Sequence, residues 1–317
     1  QPGETAADVA RRAAAALEAW LQQHHTQTAA LIVEPLIQCA AGMAMYDPIY
    51  LRQARALCDR YQVHLVVDEI ATGFGRTGSL FAHQQAGITP DFICLSKGLT
   101  GGTLPLSAVL TTDAVYQAFY GTEAARAFLH SHSYTGNPLA CRAALATLEL
   151  FEQLNTLQAN RALAAQLTTA FAPLNTHPRV RHARQMGMVW AWDIATTLPD
   201  FAQRYHAAAR ARGLLLRPIG HTLYCMPPYV LDADEVQHLA TQTLAALEDY
   251  AFASRDEATR KGIRTDALLV IRDGQLVYER YAGGTTADTP HLTWSVSKSL
   301  MAAVLGVAYG EGRFSLQ

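Results

Sequence analysis

Apolar residues follow two rhythms along most of the chain. Between Ala6 and His24, Val9, Ala13, Ala16, Leu17, Trp20 and Leu21 recur at the spacing of one helical face. The run TAALIVEPL that follows is continuously apolar and predicts a buried strand. Asp47-Pro48 opens a second helix that runs to about Tyr61, with the acid as cap and the proline in the first turn. His64–Val67 and Asp91–Leu95 read as two further buried strands. Buried strands that alternate with helices of roughly 12 to 18 residues predict a parallel sheet covered on both faces, an α/β domain. A helix after Asn137-Pro138 and another over about Gln158–Phe171 lead into strand-like MGMVWAWDI. A helix near Phe201–Ala211, strand-like LLLRPIG and TLYCMPP, and a last helix capped by Asp232 or Asp234 and ending near Tyr250 complete a smaller α+β domain.

The stretch SRDEATRKG is polar, and the character changes after it. DALLVIRDGQLVYERYAGG holds two β-type runs around Asp273-Gly274, a hairpin signal, and WSVSKSLMAAVLGVAYGEGRF then reads as an apolar helix. The expected organisation is therefore a large-domain part over residues 1–155, a small domain over 156–253, a linker over 254–262 and a separate segment over 263–317.

Composition narrows the class of function. With 25 Lys and Arg against 27 Asp and Glu, interspersed along 317 residues, there is no footprint for a nucleic acid or an anionic membrane. A small polar metabolite is the expected partner. Five widely spaced cysteines in apolar stretches suit reduced thiols and a cytoplasmic location. No apolar run approaches the ~18 residues of a membrane span, and the start lacks signal-peptide order. The chain begins without methionine, which suggests a start other than the native one.

Open parallel sheets bind ligands beyond the carboxyl ends of their strands. Here one such end is Asp68-Glu69-Ile70, running into ATGFGRTG, and the next is Ser96-Lys97-Gly98, running into LTGGTLPLSA. Glycines let backbone approach a planar ligand closely. Pyridoxal 5'-phosphate needs a lysine for its aldehyde and an acid against its pyridine nitrogen, because the protonated ring is the electron sink. Asp68 and Lys97 suit those two roles. On spacing alone, a turn-forming Asp68 and a solvent-directed Lys97 fit equally well.

The longer motifs carry more. VVDEIATGFGRTG, then LSKGLTGGTLPLSA after 16 residues, then HSHSYTGNPLA, resembles the class III aminotransferase family over about Thr28 to Tyr250. The resemblance implies a partial fold-type I large domain with a mostly parallel sheet, a small C-terminal domain, and pyridoxal 5'-phosphate as cofactor. It implies Lys97 as the lysine that carries the cofactor, Asp68 as the ring-nitrogen acid and Ile70 as a residue stacked on the ring. Ser133 matches a position that reaches the cofactor phosphate of the partner subunit, so a homodimer with a shared site is implied. Arg217, in LRPIG, matches an arginine whose fork holds a substrate carboxylate, and Tyr224, in TLYCMPPY, lies near that pocket. Glu34, in IVEPLIQ, matches a glutamate expected to pair with Arg76. Many members carry glutamine where Ala71 stands; the biotin-synthesis subgroup carries alanine and shares the MPPY ending. That subgroup passes an amino group from S-adenosylmethionine to 8-amino-7-oxononanoate, the expected reaction here. An ω-amino acid or ornithine aminotransferase is the alternative within the family. His24-His25 and His130-x-His132 lack carboxylate or cysteine companions at ligand spacing, so no metal is expected.

Two departures matter. The family's Gly-Ser phosphate loop and aromatic wall lie upstream of its IVEPLIQ strand, and Gln1 stands only about 33 positions before Glu34. At the other end, the hairpin, WSVSKS and EGRFSL resemble the start of serine β-lactamase-like hydrolases, with Ser295 as nucleophile and Lys298 as its activating neighbour. Gln317 comes before that family's second catalytic motif, so this segment is expected to be a truncated hairpin and helix without activity. The expectation for the chain alone is inactivity in both reactions. A serine hydrolase centred on Ser295 and a catalytically dead interaction module are the competing classes.

Overall fold

The computed structural model describes residues 3–251, 267–272 and 275–281. The chain divides into two compact units, Gln1–Tyr250 and Ala251–Gln317.

Helix α1 (Ala6–His24) opens on a capping box in which Thr5 and Asp8 bond each other's main chain, a device worth about 1 kcal/mol. It buries Ala10, Ala14 and Leu21, whereas Val9 and Trp20 stand 41% and 51% exposed. The buried face is thus set by small residues and lies beside the one the larger side chains predict. Strand β1 (Ala30–Val33) follows, then a two-stranded ribbon of β2 (Ile37–Gln38) and β3 (Ala44–Met45). Helix α2 (Ile49–Tyr61) starts where Asp47 accepts a hydrogen bond from the Ile49 N–H, as the Asp-Pro signal predicts.

Strands β4 (His64–Asp68), β5 (Phe92–Leu95) and β6 (Ala108–Thr111) complete a sheet of order β1-β4-β5-β6. The first two pairings are parallel and the last antiparallel. One face is filled by Leu21, Leu57, Cys58, Val63, Leu65 and Val67. Each buried Leu or Val there contributes about 1.5–3 kcal/mol. The opposite face is covered toward β5, where Leu95 packs with Phe74, Leu99 and Ala144. Ile32 on β1 is 64% exposed. Among the described residues the expected double cover is therefore met over part of the sheet only, and β1 is an edge strand with an open face rather than a buried one.

Helices α3 (Asp113–Phe119) and α4 (Pro138–Gln153) follow, the latter capped by Asn137, which accepts from Leu139 and Ala140. Around them an apolar band is open: Val109, Leu129, Tyr134 and Leu139 are 62%, 87%, 76% and 71% exposed.

Helices α5 (Thr156–Ala170) and α6 (Ala172–Asn175) lead to an antiparallel sheet of β7 (Val180–Met186), β8 (Val189–Ile194) and β9 (Thr222–Cys225). MGMVWAWDI, expected as one strand, is the turn and second half of a hairpin. Gly187 there has φ 55, and a Cβ on it would come within 2.3 Å of Thr77 main chain. Phe171 lies against both Trp190 and Trp192, whose indole N–H groups bond Thr168 and Asn175. LLLRPIG forms no strand, only an isolated bridge from Ile219 to Thr222, because Pro218 and Gly220 interrupt it. Helix α7 (Phe201–Ala211) precedes it, and α8 (Ala233–Ala251) closes the unit behind an Asp232–Glu235 capping pair. In the second unit β10 (Ala267–Arg272) pairs antiparallel with β11 (Gln275–Tyr281), the hairpin the sequence predicts. The helix expected after it lies outside the described residues.

Candidate active site

Strands β4 and β5 are parallel neighbours with Asp68 opposite Cys94, so both deliver their carboxyl ends to one edge. Asp68, the last residue of β4, accepts a 3.0 Å hydrogen bond from the Ile70 N–H on Oδ1. Its Oδ2 has no hydrogen bond to the described residues. Lys97 stands two residues beyond β5 with φ 45, and its side chain is exposed. Lysine occurs at only three positions, 97, 261 and 298, so every other cation of the first unit is arginine or histidine. That signal was present in the sequence and singles out Lys97 without any motif.

A third group joins them. The Cys39 N–H donates to Glu34 Oε2 at 3.0 Å, and burial, then the Glu34 charge, pushes the Cys39 thiol up to about 11. The weaker influences of Lys97, which lowers it, and Asp68, which raises it, act on the same thiol. In the sequence Cys39 reads as an ordinary core thiol.

The backbone around this neighbourhood is strained. Among the described residues six non-glycine residues have positive φ: Leu36, Met43, Phe74 and Lys97, together with Gln62 and Asn155 at helix ends. Leu36 and Met43 flank Cys39, and Lys97 and Phe74 belong to the strand-end loops. Each such residue costs on the order of 1–3 kcal/mol and persists only where its surroundings over-determine it. Arg184 supplies part of that constraint, bonding the carbonyls of Gly42 and Met43 while paired with Asp193.

The glycine-rich loop after Asp68 is organised by Glu69. This fully buried carboxylate accepts from Thr72 Oγ1, the Ala82 and His83 N–H groups and the His83 ring, all between 2.7 and 3.0 Å. A buried charge is tolerable with that many donors.

Arg217 and Tyr224 line one open cavity of about 740 Å³, lined on another side by Asp234, Glu235 and His238 of α8. Tyr224 also packs on the apolar cluster of Leu36, Ile37 and Met43, which Cys39 touches as well. Ser133 is exposed on the turn before α4, and no hydrogen bond joins it to Lys97 or Asp68. The expected Glu34–Arg76 pair is not formed. Glu34 is taken by the Cys39 N–H and Arg76 by the Pro227 carbonyl at 2.7 Å and the Tyr229 ring at 4.6 Å. Ser295 and Lys298 lie outside the described residues.

A carboxylate with one oxygen fixed and one open, a lone lysine on the next strand end, and glycine loops beside both fit pyridoxal 5'-phosphate, which class III aminotransferases use. The family model for aminotransferase class-III matches residues 2–247, and the chain belongs to that family. A β-lactamase family model matches residues 236–317. The chain is 45% identical over 240 residues to the adenosylmethionine-8-amino-7-oxononanoate aminotransferase of Helicobacter pylori, covering 74% of this chain and 55% of the relative. The crystal structure of the enzyme of that name from Methanocaldococcus jannaschii superposes with TM-score 0.69 at 31% identity, over 73% of this chain and 56% of that one. The ω-transaminase of Pseudomonas jessenii in complex with PMP gives 0.72 at 26% identity, over 78% and 57%. The chain thus spans about half the length of the relatives it matches. No helix among the described residues is long and apolar enough to cross a membrane.

Proposed function

We propose that this chain carries the Lys97 side of a class III active site that passes an amino group from S-adenosylmethionine to 8-amino-7-oxononanoate. The observation that carries the reading is the Asp68–Lys97 pair on adjacent strand ends in a chain 45% identical over 240 residues to a relative named for those compounds. When bound, pyridoxal 5'-phosphate supplies an electron sink for charge developing at the substrate carbon. Lys97 would hold the cofactor through its amine and, once released, move the proton at that carbon. Asp68, with Oδ1 fixed by the Ile70 N–H, would present Oδ2 to the protonated ring nitrogen. Ile70 would cover a ring face. Arg217 would grip a carboxylate, with Tyr224 beside it in the same cavity.

Ser133 is proposed to act across a homodimer, which suits its exposed turn and the open apolar band around Leu129 and Leu139. The proposed division keeps residues 1–155 as large-domain part, 156–253 as small domain and 254–262 as linker. Ser295 and Lys298, in 263–317, are proposed as the remnant of a hydrolase motif, and no activity is assigned to them. A cytoplasmic setting is proposed from five unpaired cysteines.

Amino transfer measured with S-adenosylmethionine, ornithine and a terminal diamine as competing donors tests the assignment. In a protein extended to the length of its relatives, product formation from S-adenosylmethionine that disappears in Lys97→Ala is the expected result. Transfer from the other donors alone would move the protein to another branch of the family.

A further inference from the structure

Lys97 has an energetically unfavourable backbone, and something must hold it there. The residue after it is Gly98, and a Cβ on Gly98 would lie 2.9 Å from both Cβ and Cδ2 of Phe74. Phe74 is therefore pressed against the lysine's own loop as closely as a glycine permits. Its ring is 3% exposed and packs with Leu95 before the lysine, Leu99 after it and Ala144 of α4. Phe74 is itself left-handed, with φ 55, and two things keep it so. The Tyr229 hydroxyl donates to the Phe74 carbonyl at 2.8 Å. On the other side Phe74 meets Phe81 edge-on at 5.6 Å, Phe81 stacks on His83, and His83 is bound to buried Glu69.

We propose that Phe74 is a positioning residue: wedged against Gly98, it holds Lys97 in the left-handed conformation from which the lysine takes the cofactor. Glu69–His83 and Tyr229 are the two anchors of the wedge. The inference rests on the cofactor reading given above and adds to it a named mechanical support. The wedge touches no reacting atom. It acts through the backbone of residues 97–101, where Leu99 N–H bonds Ser96 O and Gly101 N–H bonds Gly98 O.

The test compares the purified chain with Phe74→Leu, Phe74→Ala and Tyr229→Phe, using two readouts. Amide hydrogen exchange over residues 97–101 needs no cofactor. The second readout is the yield of pyridoxal phosphate fixed on Lys97 by borohydride at limiting cofactor, located by peptide mass spectrometry. Exchange at least tenfold faster and fixation at least fivefold lower are expected for the Phe74 variants, with a shift of about two- to threefold in the same sense for Tyr229→Phe. Leu167→Ala, which empties a fully buried site on α5, is the control: it lowers the melting temperature and leaves both readouts unchanged. Should Phe74→Ala fail to fold, Phe74→Leu and Tyr229→Phe decide. Parent-like exchange and fixation in folded variants overturn the proposal, as does an equal response in Leu167→Ala. A parent chain that fixes no cofactor on Lys97 overturns the cofactor reading instead, and the exchange readout still decides whether Phe74 holds the loop.

Discussion

The sheet edge at Asp68 and Lys97 and the sheet of β7, β8 and β9 were built by opposite means. Around Trp190 and Trp192, Phe171, Leu174 and Leu223 are nearly sealed, both indole N–H groups are bonded, and no non-glycine residue in β7–β9 has positive φ. At the strand ends four residues are left-handed, a carboxylate oxygen is open and the lysine is exposed. The small sheet is packed for stability. The strand ends hold backbone strain and leave a carboxylate oxygen and an amine open to an incoming ligand.

Substitutions should therefore separate the two regions. In a protein active in the amino-transfer assay, Lys97→Ala is expected to lower kcat by at least the ~10²–10⁴-fold worth of a general acid/base, with little change in melting temperature. Activity within tenfold of the parent would remove Lys97 from the mechanism. Phe171→Ala should do the reverse, costing about 3–5 kcal/mol in urea denaturation because both tryptophans lose their common neighbour, while cofactor fixation per folded molecule stays level. If that variant loses fixation while still folded, the two regions are coupled after all. Asp68→Asn, which cannot carry the charge opposite a protonated ring nitrogen, should cost about 1.5–3 kcal/mol in transition-state stabilisation. Normal kcat/KM would return Asp68 to the role of a turn residue.

A further expected effect is one of pH, at His177 just before β7. Burial, then the neighbouring Arg179 charge, lowers the His177 imidazole from 6.5 to about 4. In the unfolded chain it takes up a proton near 6.5 and in the folded one only near 4. Its stabilising contribution is therefore complete above about pH 6.5 and declines as pH falls toward 4. Urea midpoints measured at pH 7 and pH 4.5 should converge in His177→Gln relative to the parent. An unchanged gap would mean that other groups set the acid limit.

Legibility followed the same contrast. Helices α2, α4, α7 and α8 and the central strands were readable because their apolar spacing and caps agree with their final surroundings, as with Asp47 before α2 and Asp232 before α8. Strand β6 and the β7–β8 hairpin were not, since β6 is short and β7 alternates polar residues that no apolar pattern announces. At the site, Lys97 and Asp68 were legible as strand-end residues. The position of Cys39 was not, because it depends on two left-handed residues, Leu36 and Met43, of types that ordinarily avoid that conformation. The Glu34–Arg76 expectation failed for a related reason: main-chain groups of Cys39 and Pro227 reach the two side chains first.

With lysine at only positions 97, 261 and 298, one measurement addresses the central claim directly. The purified chain is incubated with pyridoxal phosphate, reduced with borohydride and digested, and the modified lysine is identified by mass spectrometry. Modification at Lys97, lost in Lys97→Arg and strongly reduced in Asp68→Ala, is the predicted result. Modification spread over Lys261 and Lys298 with Lys97 untouched would contradict the assignment of the strand-end site.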